Sequence, residues 1–252
     1  MKSIIITGAG TGIGKATAIR LAKEGKSIIL IGRREAPLKA LKEILPGEDH
    51  AILAVDVSNK GALHDVLNSG VMDGRDLYAV YANAGIGGAN HYGDDDRWEQ
   101  IIDINLSGAY YTVMECLPFL KKSTASFRHI LITSSCLARF GVPNYTAYCA
   151  SKSGIMGLVR ALALECSEDK ILVNAVLPGW VDTEMARAGM QLIADDTNQA
   201  FEKVLEGQMS EVPLGKMSQP EEVAGLVSFL FSEEQRSITG QCLDINNGSF
   251  MI

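Results

Sequence analysis

The chain has 252 residues with 23 basic and 30 acidic side chains, a formal net charge of −7, and 47% hydrophobic against 21% charged residues. That composition belongs to a packed globular protein and excludes a disordered one. The acidic balance and the lack of any basic run argue against a nucleic-acid binder.

Short β-branched runs bounded by turn residues alternate along the chain with longer stretches of helical period. Strands are expected over residues 3–7, 27–31, 51–55, 77–82, 129–133, 171–177 and 242–245. Several are apolar at nearly every position, as strands buried on both faces of a parallel sheet must be. Helices are expected over 14–24, 35–44, 60–68, 97–120, 145–166 and 221–231, with a bend in the fourth at Pro118. Strand and helix in alternation specify right-handed βαβ crossovers. The predicted architecture is α/β, a single-domain Rossmann fold with a doubly wound, seven-stranded parallel sheet and helices on both faces. Length alone leaves one large domain competing with two small ones, and the absence of linker or repeat favours one domain over residues 1–252. Residues 179–219 form a connection too long for the pattern, which marks an active-site lid or local helix; a substrate lid is expected at about 183–215.

Five cysteines (Cys116, Cys136, Cys149, Cys166, Cys242) without a CxxC pair suggest a reducing compartment and offer no metal site. No apolar run reaches the roughly 20 residues of a membrane span, and the start MKSIIITGAG does not have the form of a signal peptide. A cytoplasmic location away from membranes is expected.

The first strand runs into Thr7-Gly8-Ala9-Gly10-Thr11-Gly12-Ile13-Gly14, and a helix follows at once. Glycines let the backbone turn sharply and approach a ligand, while the helix N-terminus offers free N–H groups and a positive dipole to phosphate. Roughly 20 residues further on, an acid normally receives the ribose hydroxyls of NAD. Here the second strand ends Gly32-Arg33-Arg34. Two guanidinium groups suit a 2′-phosphate, so NADP(H) is preferred over NAD(H); the competing reading makes both arginines solvated residues at a strand exit. Lys15 adds to that site or faces solvent. Asp56 and Val57, after the third strand, are placed to meet the adenine, unless Asp56 is an ordinary acid at the start of a helix.

Tyr148 and Lys152 stand four apart near the start of a helix, which puts them on one face. A phenol titrates near 10, and a neighbouring ammonium favours the phenolate. Tyr148 is therefore a candidate general acid/base with Lys152 as its electrostatic partner. Ser135, at the end of the fifth strand, precedes Tyr148 by 13 residues. Taken alone, it is equally a strand-end serine capping a turn.

Together these segments resemble the short-chain dehydrogenase/reductase family in its compact, single-domain form, over essentially the whole chain. Thr7–Gly14 matches its TGxxxGxG fingerprint, Asn83-Ala84-Gly85 its NAG motif, and Pro178-Gly179-Trp180-Val181-Asp182-Thr183 its PGxVxT turn. Asn105, Ser135, Tyr148 and Lys152 match its catalytic residues. The resemblance implies that Tyr148 donates a proton to a carbonyl oxygen as hydride arrives from the nicotinamide, and that Ser135 hydrogen-bonds that oxygen. It implies that Lys152 holds the nicotinamide ribose and depresses the Tyr148 pKa, and that Asn105 supports a water relay. Gly8, Thr11, Gly12, Ile13, Gly14, Arg33, Arg34, Asp56, Val57, Asn83, Ala84, Gly85, Tyr148, Lys152, Pro178, Gly179, Val181 and Thr183 are the cofactor-binding set.

Substrate walls are expected in residues 86–96, 136–145 and the lid, where Met185, Met190, Leu192 and Ile193 offer a soft apolar face. The C-terminal motifs, Pro213-Leu214-Gly215-Lys216 through Asn246-Asn247-Gly248, look like those of 3-oxoacyl-acyl-carrier-protein reductases and their relatives, with Asn247 where a glycine is common. Lys121, Lys122 and Arg128 make the one obvious basic cluster. The expected activity is hydride transfer between NADP(H) and a carbonyl or secondary alcohol, a 3-oxoacyl thioester among the candidates. An NAD-dependent alcohol, sugar or steroid dehydrogenase is the alternative, and a nucleotide-binding regulatory protein the non-enzymatic one. The resemblance also implies a homotetramer or homodimer joined through the helices of 97–120 and 145–166.

Overall fold

The computed structural model describes residues 2–251. Its strands are β1 (Lys2–Thr7), β2 (Ser27–Gly32), β3 (Ala51–Ala54), β4 (Asp76–Ala82), β5 (Arg128–Thr133), β6 (Ile171–Pro178) and β7 (Cys242–Ile245). They form one seven-stranded sheet in the order β3-β2-β1-β4-β5-β6-β7, with every neighbouring pair parallel. The helices are α1 (Gly12–Lys23), α2 (Glu35–Ile44), α3 (Lys60–Leu67), α4 (Trp98–Ile102), α5 (Gly108–Lys122), α6 (Thr146–Glu165), α7 (Glu184–Thr197), α8 (Phe201–Ser210) and α9 (Pro220–Leu230). The chain steps outward from β1 to β3, returns to the centre and continues from β4 to β7. The strand order thus reverses between β1 and β4, which is where a doubly wound sheet opens a crevice for ligand.

Alternate residues of each strand serve opposite layers. Ile5, Ile29, Val80 and Ile130 pack with Val113 and Leu120 of α5 and Ile155 and Val159 of α6. Ile4, Ile6, Ile28 and Leu30 pack with Leu21 of α1, Leu38 of α2 and Val223 and Val227 of α9. Each fully buried isoleucine is worth about 1.5–3 kcal/mol relative to exposure. No helix among the described residues is long and apolar enough to cross a membrane.

The stretch expected as one helix bent at Pro118 is interrupted elsewhere. Pro118 sits inside α5, and the break is a π-helical turn, Asp103–Ser107, between α4 and α5. Gly108, just after it, leaves no room for a side chain, since a Cβ there would lie 2.7 Å from Val57 Cγ2, and Asn105 within the turn is buried. Such turns admit one extra residue and recur at functional positions.

The long connection folds into α7 and α8. Met190 and Ala194 of α7 and Val204 of α8 are buried among Trp180, Ile193, Phe201 and Met217. Of the four apolar residues expected to form one inner face, Met190 and Ile193 therefore pack locally, while Leu192 is exposed and Met185 half-exposed. The basic cluster is dispersed as well. Arg128 is buried, donating to the carbonyls of Ala125 and Asp169, and Lys121 pairs with the Asp169 carboxylate at 2.7 Å.

His129, in β5, is 2% exposed. The Tyr78 hydroxyl donates to the Phe231 carbonyl at 2.6 Å, so its oxygen accepts from Nε2 of His129 at 3.0 Å and the ring is the neutral Nε2–H tautomer. Burial, with Lys2 and Lys26 adding repulsion, pushes the imidazole down from 6.5 to about 4. The unfolded chain therefore takes up a proton that the fold refuses. The contribution of His129 is whole above pH 6.5 and is lost as pH falls through 6.5 towards 4, roughly 3 kcal/mol in all. Urea unfolding midpoints should drop across that window, and His129→Gln should flatten the dependence; equal slopes in both proteins would refute the assignment.

Candidate active site

Four loops meet where β1, β4, β5 and β6 end. The Thr7 hydroxyl accepts from the amides of Asn83 (2.9 Å) and Ala84 (3.0 Å), and Asn83 Nδ2 donates to the Thr7 carbonyl at 3.1 Å. Asn83 Oδ1 accepts from the Thr133 hydroxyl at 3.0 Å, linking β5 to the pair. Gly8 turns the chain with φ +64°, and a Cβ on Gly14 would stand 2.3 Å from the Gly8 carbonyl oxygen. Thr11 precedes α1 without a side-chain cap. The first-turn amides of α1, where Gly12, Ile13 and Gly14 lie, are thus left to a ligand at the positive end of the helix dipole. This cradle fits the diphosphate of a dinucleotide.

At the far end of that cradle Arg33 and Arg34 are both exposed, and Arg33 Nη1 lies 3.7 Å from the Asp56 carboxylate. Asp56 Oδ1 is already engaged by the Ser58 amide (2.9 Å) and hydroxyl (2.7 Å), so Asp56 shapes the turn into α3, whose cap is Asn59. The Val57 side chain is buried against Gly108, and Lys15 faces solvent. Pro178 ends β6, and Gly179 backs onto Asn246, whose Cα would lie 3.0 Å from a Cβ there. Val181 bridges to Ser218, and Thr183 caps α7 by accepting from the Ala186 amide at 3.3 Å, its methyl turned towards Gly12.

Asn105, Ser135, Tyr148 and Lys152 converge beside this cradle. Asn105 Oδ1 accepts from the Ile86 amide at 2.8 Å, and its Nδ2 donates to the Ile86 carbonyl (3.0 Å) and to Ser151 Oγ (3.3 Å). Ser151 in turn donates to the Tyr148 carbonyl at 2.8 Å. Lys152 is buried, donates to the Thr133 carbonyl at 2.9 Å and stands 5.7 Å from the centroid of the Tyr148 ring. A Cβ on Gly85 would lie 3.5 Å from its Nζ. Burial pushes the Tyr148 phenol up to about 12 against the opposing influence of the nearby Ser135 hydroxyl, which accepts from the Leu137 amide at 3.1 Å, and pushes Lys152 down to about 8. Desolvation is the leading influence on both groups.

Of the expected substrate walls, Tyr92 points fully into solvent and His91 is exposed. Phe140 stacks on Phe250, and Arg139 pairs with Asp244 at 2.9 Å. Met185 lies over Gly87, with Sδ 3.2 Å from the position of a Cβ there. The Thr133 hydroxyl lies at the ligand edge as a strand-end hydroxyl should and meets Asn83, whereas Arg97 and Ser151 hold the site through Gly87 and Asn105 without a local sequence signal. Two glycines separate the close-approach requirement from general glycine effects. Gly14→Ala forces a side chain onto a backbone carbonyl and should cost about 1–3 kcal/mol. Gly189→Ala, in α7 with nothing within 4 Å, should be neutral or stabilising by up to about 1 kcal/mol in thermal unfolding.

A family model described as enoyl-(acyl carrier protein) reductase matches residues 8–249. The chain is 33% identical to the 3-oxoacyl-(acyl-carrier-protein) reductase FabG of Aggregatibacter actinomycetemcomitans, covering 98% of each. A variant of actinorhodin polyketide ketoreductase, solved with NADPH, superposes with a TM-score of 0.90 at 29% identity, over 98% of this chain and 97% of the other. The ligand-free aldohexose dehydrogenase of Thermoplasma acidophilum has a TM-score of 0.86 at 29% identity, over 98% and 93%. With near full-length relatives, a matching family model and the sheet and loops described above, the chain belongs to the short-chain dehydrogenase/reductase family of oxidoreductases.

Proposed function

We propose that the protein is an NADP(H)-dependent reductase of carbonyl compounds, or the corresponding secondary-alcohol dehydrogenase, with Tyr148 as its proton donor and acceptor. The observation that carries this reading is the buried Lys152 ammonium over the Tyr148 ring, 5.7 Å from its centroid and without an opposing carboxylate. Structural lysines are rarely buried without an opposing carboxylate. The glycine loop and the first turn of α1 would hold the diphosphate, Arg33 and Arg34 the 2′-phosphate, and Lys152 the nicotinamide ribose. The 83–85 and 178–183 segments would border the nicotinamide.

Bound NADP(H) supplies the hydride, or takes it back. Tyr148 delivers its proton to the carbonyl oxygen. With the phenol held protonated at neutral pH, the transfer runs downhill only once that oxygen becomes alkoxide-like. Ser135 hydrogen-bonds the same oxygen and fixes the carbonyl in line. Lys152 stabilises the phenolate left behind, and Asn105 keeps the proton path to solvent in register with α6. α7 and α8 act as the lid over the substrate, with Met185 as its contact to the opposite wall.

A 3-oxoacyl thioester is the first acceptor to try, since FabG and a polyketide ketoreductase are among the relatives. Dispersal of the basic cluster weighs against docking of an acidic carrier protein, so the acyl group would arrive on a small carrier. The pairing of Arg33 with Asp56 favours a second reading, NAD(H) as cofactor, because it neutralises part of the charge offered to a 2′-phosphate. The family's homodimer or homotetramer would form through α5 and α6, where Tyr110 and Leu164 stand exposed.

Absorbance at the reduced-nicotinamide band, followed with acetoacetyl thioester and either NADPH or NADH, separates the readings. Preference for NADPH that disappears in Arg33→Ala/Arg34→Ala supports the first; preference for NADH establishes the second. Tyr148→Phe should lower kcat by at least about 100-fold, the scale of general acid catalysis, while NADPH binding by fluorescence stays intact. Near-normal turnover in that variant would sink the mechanism.

A further inference from the structure

We infer that Asn90 is a positioning residue: from the connection between β4 and α4 it caps the helix that carries Tyr148 and Lys152. This rests on the reading of that pair as the reacting and supporting groups.

α6 begins without a cap of its own. Its N-cap residue is Tyr145, which supplies no side-chain hydrogen bond. The cap comes from another segment. Asn90 Oδ1 accepts from the amide of Ala147 at 2.9 Å and from the Thr146 hydroxyl at 3.1 Å. Ala147 is fully buried, so water cannot replace that acceptor, and an unmet amide in the first turn would cost the desolvation of a backbone group. The Asn90 amide donates to the Asn144 carbonyl at 2.8 Å, where Asn144 takes φ +65°. The entry to the helix is thus turned to meet this loop.

Asp96 fixes which way the carboxamide points. Its Oδ1 accepts from Asn90 Nδ2 at 3.1 Å and from the Trp98 amide at 3.0 Å. With Nδ2 held by a carboxylate, the Asn90 oxygen can only face Ala147. Asp96 therefore holds the turn that leads into α4 and, through Asn90, the start of the helix that carries Tyr148. Arg97 stiffens the same connection by donating to the Gly87 carbonyl at 3.2 Å. Tyr148 follows Ala147 directly, so a slackened first turn moves the phenol first. A displacement of about 1 Å in a reacting group costs about 100-fold in rate.

The test uses the full-length protein and three readouts: steady-state kinetics with NADPH and acetoacetyl thioester, NADPH binding by fluorescence, and amide hydrogen exchange. Asn90→Ala should lower kcat about 10–100-fold, leave the KM for acceptor and the Kd for NADPH within about threefold, and speed exchange at residues 146–148 alone. Asn90→Asp keeps the acceptor but sets two carboxylates together, and should be impaired. Adding Asp96→Asn restores the pairing with donor and acceptor exchanged, and kcat should return to within about threefold of the parent. That rescue also decides the matter should Asn90→Ala fail to fold. An unchanged kcat in Asn90→Ala, unchanged exchange at Ala147, or no recovery in the double variant would overturn the inference. Absence of turnover in the parent protein would instead refute the reductase reading, and the exchange measurement would still judge the cap.

Discussion

Where β1 and β4 send their chains to opposite sides of the sheet, the amides of Asn83 and Ala84 have no strand beside them to receive their protons. The Thr7 hydroxyl takes both. Leaving either unmet would cost about 1–3 kcal/mol. The site depends on this one oxygen. It holds the two diverging loops at the distance at which Gly8 lies against Ala84, whose Cα would stand 2.9 Å from a Cβ there. Asn83 carries the constraint onward to Thr133, whose carbonyl is the acceptor for Lys152. The cradle at one end and the buried ammonium at the other are thus joined by a continuous chain of hydrogen bonds across three strand ends.

The same chain explains why Tyr148 and Lys152 are shifted in opposite directions. Lys152 is buried and Tyr148 partly so, and burial disfavours whichever form is charged. At neutral pH the phenol is held protonated, with the ammonium close to its ring. The opposing shifts are the electrostatic cost of burial, and the hydrogen bond from Lys152 to the Thr133 carbonyl satisfies one of the ammonium's donors.

The sheet was legible in the sequence because its strands are continuous β-branched runs, and the helices packed on it repeat their apolar residues at helical spacing. Residues 35–44 and 242–245 are bounded in the structure as the pattern indicates. What was not legible is what one segment does to another. The π turn at Asp103–Ser107, which carries Asn105 to the Ile86 backbone, is encoded by no local propensity. Arg128 reads as a surface cation until the carbonyls of Ala125 and Asp169 are seen around it. Asn247, at odds with the family's usual glycine, proves compatible because it takes φ +56° and Asn tolerates the left-handed region.

The two-sided burial of the strands changes what specifies their alignment. In a half-buried sheet a slip of one residue throws an apolar side chain into water, and polarity alone forbids it. In β1 the central residues are Ile4, Ile5 and Ile6, and such a slip merely exchanges one isoleucine for another between two aliphatic layers. The middle of the strand is degenerate and carries almost no positional information. The alignment is written in its punctuation, in Ser3 at one end and Thr7 at the other, where a displaced hydroxyl would leave the Asn83 and Ala84 amides without an acceptor. Substitution among Ile, Val and Leu in the centre should accordingly drift freely over evolutionary time, while the least hydrophobic letters of the strand stay fixed.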